Sequence, residues 1–362
     1  VFAKWVFTIK FTGDVIEKFK ARVVAAAWGM ERFVDYNESY TGTAPISDLR
    51  DLEALAVMLE LDVYECDLTQ AYCHAHEDRK PDGTRTTLTP AAGTRVRNDE
   101  RQVLNYGLEM SLYGLPAAGF NLARKLHDGF IGRNIPEGTT PCPIPFLQVP
   151  TQPVIFTAVY PDQHEHCGEV FILWLHNDNI RTYCSKASIQ HEFMQWFRSA
   201  YTVTGGDTPL QTQEPQACLG MEIVYSKMAV TMRMPAFITK ILAEFNMSDC
   251  NPAVTPLAPG TTIDIGDAPV TPEEKEELRR EVERLYATTL PEYDDVLKYY
   301  RSLVASIGWV AKQVGPSLTY AHSILGRAMH SPTKSAFQMT KRVLRFLKGH
   351  IDMSVTYRTS KI

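Results

Sequence analysis

What this sequence lacks narrows it first. Its seven cysteines, at positions 66, 73, 142, 167, 184, 218 and 250, are odd in number and contain no C-x-x-C pair. Neither a disulfide framework nor a cysteine-built zinc site is expected, which favours an intracellular chain, cytoplasmic or nuclear. No stretch approaches ~18 uninterrupted apolar residues, so an apolar membrane span is not expected either. The opening VFAKWVFTIKF has no long apolar core followed by a small-residue cleavage site, which argues against a secretory signal. Internal repeats and low-complexity tracts are missing too. What is there is ordinary: 362 residues, 44% apolar and 22% charged, enough for a globular chain of two or three lobes.

The net charge of -5 hides an asymmetry. Residues 1–34 carry six Lys or Arg against three Asp or Glu, and residues 301–362 carry ten against one. Two basic ends and an acidic middle suit local nucleic-acid contact, and equally suit a chance surface imbalance.

Apolar patterning sets out the elements. KWVFTIKF and FKARVVAAAW read as a hairpin turning at Gly13-Asp14. A helix is expected after Ser47 as N-cap, with Leu52, Leu55, Ala56 and Leu59 on one face, and then a short strand from Val63 to Asp67. Residues 79–98 read as an exposed loop. A helix with Leu122, Leu126 and Phe130 follows Gly119. Next come paired strands at 154–160 and 170–175, and a third at 180–184. Ile189, Phe193, Trp196, Phe197 and Ala200 mark another helix, with ACLGMEIVY (217–225) as a closing strand. This is the order of a split βαβ, ferredoxin-like layout in an α+β fold. Beyond Ile241 the chain turns helical. Thr271-Pro272-Glu273-Glu274 is a helix start, the charged run after it is a solvated face, and residues 297–313 and 333–348 are two more helices.

Two carboxylates stand out. Asp67 closes a strand in YECDLTQAY, and Asp178 sits between two apolar strands in FILWLHNDNI. Aspartate is a common turn residue, so each also reads as a cap touching only water. If the strands are neighbours, the pair converges at one sheet end and can hold two magnesium ions. His164-x-His166-Cys167 has metal-like residue types, but it lies in a polar turn without a second cluster and reads as surface.

In order along nearly the whole chain, KWVFTIK, FKARVVA, DYNESYTGTAPISDLRDLEALA, ECDLTQAY, SLYGLPAAG, ACLGMEI, NPAVTPL, YYRSLVASIGWVAKQ and KRVLRFLKGH are similar to the reverse transcriptase of copia-type LTR retrotransposons. The resemblance implies a right-hand polymerase: fingers and palm to about residue 245, then a helical thumb and connection-like part over 246–362. It implies Asp67 as first catalytic ligand of Mg2+ or Mn2+, with the Leu68 carbonyl nearby. Tyr72 would be the aromatic gate against a ribose 2′-hydroxyl. Lys20 and Arg22 would clamp the triphosphate, and Leu115 and Pro116 would sit by the nucleotide. Lys341, Arg342, Arg345 and Lys348 would meet phosphates of a template-primer duplex of RNA or DNA. The other implied partners are deoxynucleoside triphosphates and a homodimer or larger assembly. RNase H activity is not expected.

The sequence also departs from that family. The tip motif of an aromatic residue, a variable one and two aspartates aligns either as Leu175-His176-Asn177-Asp178 or as His176-Asn177-Asp178-Asn179. The second is preferred, because Ile180 then falls where an apolar residue follows. Asp178 is kept, and Asn179 stands at the third catalytic position with an oxygen but no charge. Pro116 and Ala117 replace a usual Lys-Gln, and Ala26 replaces a lysine. The sequence reading is therefore an RNA-directed DNA polymerase with impaired chemistry. Its alternative is a domesticated, non-catalytic nucleic-acid-binding or structural subunit of a larger assembly.

Overall fold

Side chains that alternate along a strand point to opposite faces, and the first element shows the consequence. In this computed structural model, which describes residues 1–12, 15–42, 44–134, 140–212, 214–226, 228–263 and 266–359, β1 (Phe2–Thr12) pairs antiparallel with β2 (Val15–Ala26). Trp5 opposes Val23, Phe7 opposes Ala21 and Ile9 opposes Phe19, giving one apolar face. Lys20 and Arg22 oppose Thr8 and Val6, and Lys10 opposes Lys18, making the other face cationic. The turn expected at Gly13-Asp14 lies outside the described residues. At the hairpin base Ala25 and Ala27 pack with Leu115 and Ala118.

The chain divides into two compact units, Val1–Leu210 and Gln211–Ile362. In the first, α1 (Ile46–Leu59) is preceded by Pro45 in an extended conformation, so Ser47 is not the N-cap but lies within the first turn. Its buried stripe is Leu49, Leu52, Glu53 and Ala56 rather than the expected set, and Leu59 is exposed. Glu53 is drawn inward by an arginine on the sheet beneath. β3 (Asp62–Leu68) follows, and then β4 (Thr87–Leu88) pairs with β5 (Tyr106–Gly107). That pairing ties down part of the stretch read as an exposed loop, and buries Thr86 and Ala91.

α2 (Ala118–Ile131) leads to the strands β6 (Phe146–Val149), β7 (Gln152–Ala158), β8 (Phe171–His176) and β9 (Asn179–Cys184). α3 (Ala187–Ala200) and β10 (Val203–Gly205) complete a six-stranded sheet of order β10-β3-β9-β8-β7-β6. The strands β10, β3, β9 and β8 have split βαβ connectivity. The closing strand is β10, however, and not 217–225. Gly205 and Gly206, at φ 81° and 87°, allow the close approach to β3: a Cβ on Gly205 would lie 2.7 Å from the Glu65 carbonyl oxygen. The stripes predicted for α2 and α3 do meet. Phe130 packs against Phe193, Trp196 and Phe197, and against Phe146 and Phe156 from the sheet.

The opposite face of this sheet carries a buried ionic cluster. Arg181 on β9 is fully buried; its Nη1 donates to Glu53 Oε1 at 2.7 Å and its Nε to Glu65 Oε2 at 2.9 Å. The Tyr183 hydroxyl donates to Glu53 as well, at 3.2 Å.

In the second unit, β11 (Gln216–Cys218), β12 (Met221–Ser226) and β13 (Ala229–Arg233) form a sheet completed by β14 (Ser354–Arg358). The units thus divide after Leu210, whereas the sequence reading drew its boundary near residue 245. The intervening strands find their last partner at the far end of the chain. Five helices accompany them: α4 (Pro235–Glu244), α5 (Pro272–Tyr286), α6 (Tyr293–Gln313), α7 (Thr319–Gly326) and α8 (Lys334–Gly349). The Thr271–Glu274 capping box is formed as its spacing predicts. No helix among the described residues is long and apolar enough to cross a membrane.

Removing the arginine would take the opposite charge from two carboxylates, one of them completely buried. Arg181→Met is expected to cost about 3–5 kcal/mol in urea unfolding, and adding Glu53→Gln is expected to recover part of it. A single mutant as stable as the parent would contradict this role for the cluster.

Candidate functional site

The antiparallel register of β3 and β9 sets Asp67 opposite Asn179. Asn177 and Asp178 form the turn between β8 and β9, with Asn177 at φ 57°, a left-handed conformation that asparagine tolerates. The Leu68 N–H donates to the Asp178 carbonyl at 2.9 Å, stitching the turn to the end of β3. Two carboxylates, one on β3 and one in the β8–β9 turn, therefore meet at one sheet end, the convergence the sequence reading considered. Burial raises the Asp67 carboxyl above its usual value, and the Asp178 charge raises it further, while Lys20 opposes both. Ile180, on which the preferred alignment of the tip rests, is fully buried. His176 stacks on Trp174 at 5.4 Å, and burial lowers its imidazole.

Asp67, Leu68 and Asp178 line a cavity of about 600 Å³ together with Lys18, Lys20, Arg22, Gln70 and Tyr113. The cations come from the hairpin, so acidic strand ends face a basic sheet. Lys20 is lowered by burial first and then by its neighbours Arg22, Lys10 and Lys18, with Asp67 acting the other way.

Not every residue singled out in the sequence reaches this cavity. Leu115 is buried in the hairpin-base cluster, and neither it nor Pro116 lines the cavity; Leu112 and Tyr113 do. The cause is Gly114, at φ 91°, where a Cβ would lie 2.2 Å from the Ala25 carbonyl oxygen. The chain reverses there against β2, so the residues before the glycine face the cavity and Leu115 enters the core. Sequence reasoning missed Tyr113, although it stands within SLYGLPAAG. Tyr72 lines a neighbouring cavity of about 330 Å³ with Phe120, Leu175 and Asn177.

In the second unit, three of the four basic residues of α8 singled out in the sequence hold their own chain. Lys341 donates to the Leu285 carbonyl at 2.5 Å, Arg342 to the Thr255 hydroxyl at 2.9 Å, and Arg345 to the Asn251 carbonyl at 2.7 Å. The His164–Cys167 segment is a turn, with the His166 N–H donating to His164 Nδ1. Among the described residues no group of three or more His, Cys, Asp or Glu is arranged to hold a metal ion.

The raised Asp67 value carries a stability consequence. The folded chain holds this proton more tightly than the unfolded one, so the ionised form is penalised at neutral pH. That penalty fades as pH falls through the folded value. Asp67→Asn is expected to stabilise the chain at pH 7.5, by less than about 1 kcal/mol because the group is partly exposed. The gain should vanish near pH 4, as followed by thermal unfolding at both pH values.

Residues 1–162 match the family model described as reverse transcriptase (RNA-dependent DNA polymerase). The chain is 22% identical over 349 residues to the retrovirus-related Pol polyprotein from transposon TNT 1-94 of Nicotiana tabacum, covering 96% of this chain and 23% of that protein. It is 24% identical over 361 residues to the Pol polyprotein from transposon RE2 of Arabidopsis thaliana, covering 97% and 20%. For transposon RE1 of the same plant the identity is 24% over 352 residues, covering 96% and 20%. The chain spans only 20% to 23% of the length of these relatives. Family match and relatives bear out the resemblance read from the motifs: residues 1–162 match the reverse transcriptase family, and nearly the whole chain is similar to one part of retrovirus-related Pol polyproteins of transposons.

Proposed function

We propose that this chain is an RNA-directed DNA polymerase whose chemistry is weakened at one position of its metal site. The observation that supports it most is the convergence of Asp67 and Asp178 beneath a cationic hairpin, in a cavity of about 600 Å³. In this reading the first unit supplies fingers and palm, and the helices of the second unit are thumb and connection.

The donor set suits magnesium or manganese. Asp67 and Asp178 offer hard carboxylate oxygens; burial first and then the Asp178 charge raise the Asp67 carboxyl, and a dication held there would favour its ionised form. Asn179, paired across from Asp67, contributes an uncharged amide where a third carboxylate would bind more strongly. Asp67 and Asp178 would hold divalent ions there, whose chemistry would be to activate a primer 3′-hydroxyl and stabilise the leaving pyrophosphate. The chain's own residues orient and neutralise. Lys20 and Arg22 meet the triphosphate charges, and the Leu68–Asp178 hydrogen bond keeps the second carboxylate fixed against the first.

A binding or assembly role without catalysis is the second reading, favoured by Asn179. Primer extension on an RNA template with magnesium or manganese separates the two. Weak extension is expected from the parent, none from Asp67→Ala, and roughly tenfold or more extension from Asn179→Asp, about the effect of 1.4 kcal/mol on the barrier. Silence from all three folded proteins would refute the polymerase reading.

A further inference from the structure

The helices α2 and α3 border a cavity of about 460 Å³ that shares no lining residue with the one at Asp67 and Asp178. Lys125 on α2 is half-buried there. Its ammonium donates to the His74 carbonyl at 2.5 Å and lies 5.6 Å from the centre of the Tyr201 ring. Neither partner is an anion, and burial lowers the ammonium without a carboxylate to offset it. Arg133 and His76 line the same cavity from exposed positions, and among the described residues their side chains have no hydrogen-bond or ion-pair partner. Arg124 is paired with Asp78 at 2.6 Å. Asp128 is the one carboxylate among the described lining residues, and its Oδ2 accepts from Asn134 Nδ2 at 2.9 Å. The charge left without a partner is therefore mainly positive. Trp196 and Tyr201 give the cavity an apolar wall. Buried Asn121 gives it a polar one, its amide fixed by donating to Ser111 Oγ at 3.1 Å and to Glu77 at 3.3 Å.

From this placement we infer that the cavity is a second ligand site, taking a nucleoside monophosphate or a similar phosphate monoester on a flat ring. Lys125, Arg133 and His76 meet the phosphate, and the ring lies against Trp196 and Tyr201. A monoester phosphate has three terminal oxygens and nearly two negative charges, enough for all three donors at once. A carboxylate has two oxygens and a single charge. The volume falls in the range of small-molecule sites, about 300–1,000 Å³, and exceeds what phosphate alone would fill. The cations belong to the chain, so binding needs no divalent ion, and the inference stands apart from the polymerase reading.

The test is titration calorimetry of the full chain with AMP and with adenosine, in EDTA so that no metal-dependent nucleotide binding contributes. AMP is expected to bind with a Kd below about 1 mM, and adenosine at least about tenfold more weakly. Lys125→Gln keeps a donor for the His74 carbonyl and removes the charge, and should weaken AMP about tenfold. Should that variant not fold, Arg133→Gln, on an exposed side chain, carries the test with a loss of about threefold. No AMP binding by the folded parent would overturn the inference, as would adenosine binding as tightly as AMP. Unchanged binding in the folded variants would overturn it too, and loss in Lys20→Gln instead would place the anion at the hairpin. None of these outcomes bears on the polymerase reading, which primer extension decides.

Discussion

Arg181 sits two residues beyond Asn179 on β9, and its cross-strand partner Glu65 sits two residues before Asp67 on β3. That ion pair fixes the register on which the site depends. A slip by one residue would turn Asp67 away from Asn179 and turn every apolar side chain of β3 to the wrong face. Burying a guanidinium costs about as much as its pairing returns, so the cluster is better understood as specifying one alignment than as adding stability. Glu53 extends the constraint to α1, which covers the same sheet face, and Tyr183 closes the cluster from β9.

The opposing wall is built by a different device. The hairpin is amphipathic across its thickness, and its cationic face reaches the carboxylates because the hairpin base is anchored at Gly114 and the Ala25 cluster. Two carboxylates that repel each other and several cations that lower Lys20 are each unfavourable alone. They face one another across a cavity, and the polymerase proposal rests on that arrangement of charge. The asparagine at position 179 removes one charge from that balance without disturbing the backbone pairing. Fold and chemistry can therefore diverge in this chain.

The second unit shows that a charge pattern also has partners within the chain. The basic stripe of α8 reads as a phosphate-binding surface, yet Lys341, Arg342 and Arg345 reach carbonyl and hydroxyl oxygens of residues 251–285. Long cationic side chains near a helix end satisfy nearby polar groups as readily as they meet nucleic acid.

The sequence by itself determined what depends on near neighbours. The stripes of α2 and α3 and the apolar runs of β7, β8 and β9 follow from side-chain periodicity, and the Thr271 capping box follows from a four-residue spacing. Asp67 and Asp178 were legible as candidates because each ends or joins strands written plainly in the chain. Tertiary structure alone decided which strand closes the sheet, since β10 is three residues long and its place depends on two glycines meeting β3. It also turned Glu53 inward toward an arginine 128 residues away. In one loop it brought Tyr113, which the sequence had not singled out, to the cavity and took the candidate Leu115 into the core. Periodicity and spacing describe forces between residues close in sequence. Each of these outcomes was set by a partner brought near only when the chain folded.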